Sequence, residues 1–251
     1  MLTVKPLNQP RKKVGSPGGT PPTLQPPAGE SGFTIIESLM ALMVVVILMV
    51  GLSPILVMAT AARVQARRVE LATQAAKTYI DGVTAGAINP PNHIVVLAEN
   101  NSGSFSSKRT DLSDVSAPAL SAFSSCASGT YCSQNSTPSA SGASLYCVDI
   151  DGDGDCTASS PNDLIVQGFR SVPSALDTNP NQGYILGVRV YRAYAFHDSG
   201  ALKTQSTSGG KQAIFVGTLG DYKAPLMEIT TEISSGQTEF QDYCQRFGGC
   251  Q

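Results

Sequence analysis

One apolar stretch near the N-terminus limits what this chain can fold into. Residues 33–62 contain a single charged side chain, that of Glu37, and a helix needs roughly 20 apolar residues to cross a bilayer. A carboxylate inside such a segment costs about 2.5–3.5 kcal/mol, so a functional role and a partner are expected for it. The alternative is a plain membrane anchor whose Glu37 reaches water near the interface.

The residues around Glu37 form a motif. A small residue, Gly32, stands before Phe33, and Thr34 and Glu37 follow at fixed spacing at the start of the apolar run. This pattern resembles the N-terminal cleavage and methylation motif of type IV prepilins and type II secretion pseudopilins. The resemblance implies that a membrane-embedded prepilin peptidase cuts between Gly32 and Phe33 and then N-methylates the amine of Phe33.

The same resemblance implies how the chain assembles. Glu37 would accept an ion-pair hydrogen bond from the amine of Phe33 on a neighbouring subunit, and Gly51 and Pro54 would mark a segment that can stretch inside a filament. The implied partners are other pilin or pseudopilin subunits, the peptidase, and a pilus or secretion assembly platform. We expect a structural subunit that supports secretion, motility or adhesion. Size and cysteine content favour a minor pilin or a pseudopilin, and the pseudopilins of hormogonium polysaccharide secretion are compatible.

The residues before the motif predict the membrane topology. Residues 1–32 hold four basic side chains followed by a Pro/Gly-rich stretch without apolar periodicity, as expected of a cytoplasmic leader peptide. Residues 33–62 would then cross the inner (cytoplasmic) membrane once and place the following domain in the periplasm or outside the cell. An ordinary secretory signal cleaved at residues 59–61 is the alternative, but its apolar core spans only about 7–15 residues.

The rest of the chain predicts an α+β fold. The helix is expected to continue as an amphipathic segment within residues 63–88 and to end near Val83, before Gly86 and Pro90. Residues 89–251 predict a disulfide-containing, β-rich extracytoplasmic domain, with residues 101–144 as a long loop. A long N-terminal helix packed on an antiparallel sheet, pilin-like by the resemblance, is the simplest arrangement. Strand patterns occur at residues 94–98, 145–150, 164–169, 184–196, 213–218 and 226–233, with a hairpin between 184–196 and 213–218.

Six cysteines follow the apolar stretch. An even number on one side of a membrane segment indicates an oxidising compartment and a disulfide framework, although six cysteines allow 15 pairings. Two of them flank an acidic segment and could staple it, and the last two could close a small loop. The candidates are Cys126, Cys132, Cys147, Cys156, Cys244 and Cys250.

The acidic segment predicts a structural calcium site. Three aspartates alternate and Gly154 follows, as in an EF-hand-like loop, where hard Ca²⁺ takes carboxylate and carbonyl oxygens. The twelfth position, which holds a bidentate Glu in such loops, is Ser160. A solvated acidic turn is the alternative. The candidate ligands are Asp149, Asp151, Asp153, Asp155 and Asp163.

Other functional classes find little support in the sequence. A net charge of -2 with 14% charged residues argues against a nucleic-acid binder. The two histidines, His93 and His197, lack the spacing of a metal-binding helix, and we expect no enzymatic activity. A monomeric, membrane-anchored binding module is the alternative to a filament subunit.

Overall fold

The computed structural model describes residues 32, 34–96, 112–172, 178–207 and 221–247. The chain divides into two compact units, Met1–Gly51 and Leu52–Gln251. Helix α1 comprises Ile35–Thr84, which agrees with the predicted helix that ends near Val83. A second helix, α2, comprises Phe240–Phe247.

Eight strands lie in the described part of the second unit. They are β1 (Ile94–Val96), β2 (Ser125–Ala127), β3 (Tyr131–Ser133), β4 (Ser144–Val148), β5 (Asp155–Thr157), β6 (Leu164–Val172), β7 (Tyr184–Arg192) and β8 (Met227–Ile233). Short 3₁₀ helices cover Leu120–Ala122, Pro180–Gln182 and Ala193–Phe196.

The strands form one large sheet and one small one. The large sheet has the order β3-β4-β6-β7-β8 with antiparallel neighbours, and β1 pairs in parallel with the end of β6. Strands β2 and β5 form a separate antiparallel pair. The α+β class, with a long N-terminal helix and an antiparallel sheet, is therefore confirmed.

One face of the large sheet packs against the second half of α1. Small residues of the helix, such as Ala72 and Ala76, are buried there with Tyr79 and Val83. The approach is close because a Cβ at Gly168 of β6 would overlap the hydroxyl group of Tyr79. The sheet residues of this cluster alternate along the strands, because successive side chains of a strand point to opposite faces of the sheet: Leu164, Val166, Tyr184, Leu186, Val188 and Val190.

The other face of the sheet is also covered. Ile165 and Tyr191 point away from α1 and pack with Phe123 and Phe196, and Phe169 packs with Leu112 in a third cluster. All nine residues of β6 and all nine of β7 are consequently buried. The two central strands thus have apolar neighbours on both sides.

A buried ion pair ties the covering segment to the sheet. Arg189 of β7 is fully buried, and its Nε lies 2.9 Å from Oε2 of Glu228 on β8. Its Nη2 also donates to Oε1 of Glu228 at 3.2 Å and to the carbonyl oxygen of Ser113 at 2.7 Å. The guanidinium group lies over the ring of Phe169 and donates through Nη1 to the carbonyl of Val115. Arg189 therefore links β8 to residues 112–115 as well as lying in the core.

Two predictions about local structure differ from the fold. The segment 101–144 was expected to be a loop, whereas its described part contains a 3₁₀ helix and the strands β2 and β3. Each of these strands has three residues, too few for alternation to be visible in the sequence. The strand expected at 184–196 ends at Arg192 and continues as a 3₁₀ helix. Its expected hairpin partner, 213–218, lies outside the described residues, and β7 pairs with β6 and β8.

Candidate functional site

Helix α1 begins directly after the predicted processing site. Gly32 is exposed, and Phe33 lies outside the described residues. Thr34 caps the helix: its carbonyl oxygen accepts from the N–H of Ser38 at 3.2 Å, and its hydroxyl oxygen from the N–H of Glu37 at 3.3 Å. Thr-x-x-Glu is the spacing of a capping box. Glu37 therefore occupies a helix-start position, a role that the sequence reasoning missed although the spacing carries its signal.

The first part of α1 presents apolar side chains to its surroundings. Every residue from 34 to 60 is exposed, and Ile35, Val50 and Leu56 each keep between 66% and 87% of their accessible surface. By length and composition, this helix is long and apolar enough to cross a membrane. Burying such a surface is worth about 25 cal/mol per Å², so water is an unfavourable environment for it.

Gly51 and Pro54 lie inside the exposed stretch. The helix includes both residues, and a Cβ at Gly51 would have no neighbour within 4 Å among the described residues. Proline removes one backbone hydrogen bond from a helix interior, and glycine lowers helix propensity. The stretch is therefore locally weaker as a helix than its apolar neighbours, and its role in filament extension stays a prediction.

The acidic loop, residues 149–154, connects β4 to β5 as a tight turn. Oδ1 of Asp149 accepts from the N–H of Gly152 at 2.6 Å, and its Oδ2 accepts from the N–H of Gly154 at 2.9 Å. Oδ1 of Asp153 accepts from the N–H of Asp155 at 3.1 Å. Gly152 and Gly154 have φ angles of 81° and 96°, which side-chain-bearing residues rarely adopt. The two glycines thus allow the chain to fold around the carboxylate of Asp149.

Three carboxylates converge on this loop. Oxygen atoms of Asp149, Asp151 and Asp153 lie within 4.8 Å of one another. The N–H groups of Gly152 and Gly154 are the largest causes that lower the pKa of Asp149, and they favour its charged form. Like charges this close repel one another, and a cation would relieve the repulsion.

The other two predicted ligands lie in different places. Asp155 is exposed in β5, opposite Ala127 of β2, and does not belong to the group of three carboxylates. Asp163 is fully buried just before β6, and its Oδ1 accepts from the N–H of Ile150 in the loop at 3.4 Å. Proximity along the chain therefore did not indicate which of these two carboxylates faces the loop.

Two disulfide bonds hold the strands that carry the acidic loop. Cys147 of β4 is bonded to Cys156 of β5, with their Cα atoms 5.9 Å apart, and Cys126 of β2 is bonded to Cys132 of β3. Strand β3 pairs with β4, and β2 pairs with β5 so that Cys126 lies opposite Cys156. The four strands thus form a closed ring in which ladders alternate with disulfides. Cys244 is also disulfide-bonded, and Cys250 lies outside the described residues.

No protein-family model, curated protein or solved structure matches this chain.

Proposed function

We propose that this chain is a structural subunit of a pilus- or pseudopilus-like filament, held in the inner membrane before assembly and packed through its N-terminal helix afterwards. The observation that carries the proposal is the division of roles along α1. Residues 34–60 are exposed and almost wholly apolar, whereas Ala72, Tyr79 and Val83 are buried against the sheet. A plain membrane anchor would need only the exposed apolar residues, and not a continuation of the same helix that packs against the sheet.

The start of the helix supports processing by a prepilin peptidase. Gly32 is exposed, so the backbone at the proposed cut is accessible on that side. Cleavage after Gly32 would place a new amine on Phe33, one residue before Thr34, which caps the helix start that contains Glu37. N-methylation of that amine would keep its positive charge.

Glu37 would then supply the interaction that sets the register between subunits. A carboxylate in a lipid or filament core needs a partner, and a charged amine on the next subunit satisfies it with a charge-assisted hydrogen bond. Once paired, neither charge would remain isolated in the apolar environment. The peptidase, the assembly platform and the neighbouring subunits are the partners that this mechanism requires.

Filament co-sedimentation tests the proposal. We expect the mature chain to sediment with filaments sheared from the surface of its native host, or with pseudopili formed on overexpression, while a single-pass inner-membrane protein used as control stays with the cells. A chain found entirely with the cell membranes under both conditions would instead be a monomeric, membrane-anchored binding module.

A further inference from the structure

We propose that Arg68 of α1 and Arg192 of β7 together bind the phosphate group of an anionic phospholipid. The site would lie where α1 leaves its apolar stretch and begins to pack on the sheet. This inference goes beyond the filament subunit and needs only that residues 33–62 span a membrane.

Three arginines follow the apolar stretch. Arg63, Arg67 and Arg68 lie within six residues of Ala62. The proposed topology places them on the side of the membrane away from the leader, where Lys and Arg are disfavoured close to a membrane span. Topology therefore does not explain these cations, and a local anionic partner would.

Arg68 and its neighbour Arg67 occupy different faces of α1. Gln65, three residues before Arg68, and Ala72, four residues after it, are both buried. Residues at these spacings share one face of a helix. Arg68 is half-buried, whereas Arg67 is exposed and forms an ion pair with Glu70. Arg68 therefore belongs to the stripe of α1 that faces the sheet.

Arg192 reaches the same place from the sheet. It is the last residue of β7 and keeps 6% of its accessible surface. Its Nη2 donates to Oε1 of Gln65 at 3.3 Å, while its Nε is buried without a hydrogen-bond partner among the described residues. The ion pairs formed within the described part of the chain include neither Arg68 nor Arg192. A buried cation without a counter-ion is unfavourable, so an anionic ligand would stabilise it.

The charges around Arg192 favour an anion. The pKa of Arg192 is lowered to about 10; burial is the largest cause, and the positive charge of Arg68 adds to it. The charge of Asp221 acts in the opposite direction, but its carboxylate also forms an ion pair with Lys203 at 2.5 Å. An anion beside the two guanidinium groups would offset their mutual repulsion with attraction to each of them.

The chemistry and the position favour a lipid phosphate. Guanidinium groups match the oxygen atoms of phosphate with paired hydrogen bonds. Arg68 follows Ala62 by about 9 Å along the helix, and the polar headgroup layer extends about 5–7 Å beyond the hydrocarbon core. Helical side chains tilt towards the N-terminus, here the membrane side, and long arginine side chains reach the interface. The phosphate would therefore contact Arg68 first and pair with the charge of Arg192 behind it.

Titration of the full chain in a non-ionic detergent tests the site. The probes are short-chain phosphatidylglycerol, short-chain phosphatidylcholine and inorganic phosphate, and native mass spectrometry measures their binding. We expect phosphatidylglycerol to bind at least about tenfold more tightly than phosphatidylcholine, whose choline cation repels the arginines, and Arg68→Gln to remove most of this difference. Arg67→Gln is the matched control on the exposed face and should stay within about twofold of the wild type.

Three results of this titration would overturn the proposal. The first is equal affinity of the wild type for the two lipids. The second is an equal effect of Arg67→Gln and Arg68→Gln. The third is a site that takes inorganic phosphate but not phosphatidylglycerol, which would make the ligand a free anion instead of a lipid.

Thermal unfolding in nanodiscs separates ligand binding from a structural role. We expect the wild type and Arg67→Gln to unfold at a higher temperature in nanodiscs that contain phosphatidylglycerol than in nanodiscs of phosphatidylcholine alone. Arg68→Gln and Arg192→Gln should unfold at the same temperature in both, whatever stability they have lost, and Arg68→Lys, which keeps the charge, should regain part of the shift. If Arg68→Gln shows the same shift as the wild type, the lipid acts elsewhere and the proposed site is wrong.

Discussion

Replacing Glu37 with leucine is expected to lower incorporation into filaments at least about tenfold while leaving N-terminal cleavage intact. The carboxylate is the single charge in residues 33–62, and its loss would leave the amine of Phe33 on the neighbouring subunit unpaired in an apolar core. A charge in that environment costs about 2.5–3.5 kcal/mol, and each 1.4 kcal/mol is a factor of ten in an equilibrium constant. The measurement is the fraction of mature protein in sheared filaments, determined by quantitative immunoblotting.

Two variants control for other effects of this change. Glu37→Gln keeps a side chain that can serve the capping box with Thr34 but removes the charge, so it should also assemble poorly. Glu70→Leu removes a carboxylate from an exposed ion pair with Arg67 on the same helix and should assemble normally. If the Glu37→Leu variant enters filaments to the same extent as the wild type, the ion-pair mechanism is wrong. Normal assembly of Glu37→Gln alone would reduce the role of Glu37 to capping.

Replacing Arg189 with alanine is expected to destabilise the second unit by about 3–5 kcal/mol. The substitution leaves the carboxylate of Glu228 without its buried partner and releases the carbonyl groups of Val115 and Ser113. Removing one member of a buried ion pair is costly because the other charge remains desolvated. Urea unfolding of the full chain in detergent, followed by circular dichroism, measures the change in the free energy of unfolding.

The exposed ion pair of α1 is the matched control for Arg189. The side chains of Arg67 and Glu70 keep 64% and 66% of their surface, so Arg67→Ala should cost less than about 0.5 kcal/mol. A double variant, Arg189→Ala with Glu228→Ala, should lose less than the two single variants together, because no unpaired charge remains. Equal costs for Arg189→Ala and Arg67→Ala would contradict the buried contact.

The regular part of the fold could be predicted because its patterns are long. The periodicity of α1 predicts an end near Val83, and the helix ends one residue later, at Thr84. Strands β4, β6, β7 and β8 lie at or close to four of the predicted strand positions, since five to nine residues suffice to show a β pattern. The prolines and glycines between these elements marked the breaks.

The remaining elements depend on contacts between distant residues. Strands β2, β3 and β5 have three residues each. The ring of ladders and disulfides aligns them, and no local sequence pattern shows this alignment. The parallel pairing of β1 with β6 likewise has no local pattern. The burial of Arg189 likewise depends on distant residues, because its guanidinium group donates to the carbonyl groups of Val115 and Ser113.

The candidate sites also have features that local sequence patterns predict and features that depend on distant contacts. The motif around Glu37 is local in sequence, so the start of α1 could be predicted, although its capping geometry was missed. The three alternating aspartates come together as the EF-hand-like spacing indicates. The distinction between Asp155 and Asp163 depends on where β5 and β6 begin, and therefore required the structure.

The most direct test of the filament mechanism is the intact mass and N-terminal peptide of the mature protein from its native host. The proposal predicts a chain that begins at Phe33 and carries a methylated amine, with Glu37 at its fifth position. A chain that begins near Ala62 would have lost the apolar part of α1, and a chain that keeps Met1 would have escaped the peptidase. Either of these results would contradict the proposed filament subunit.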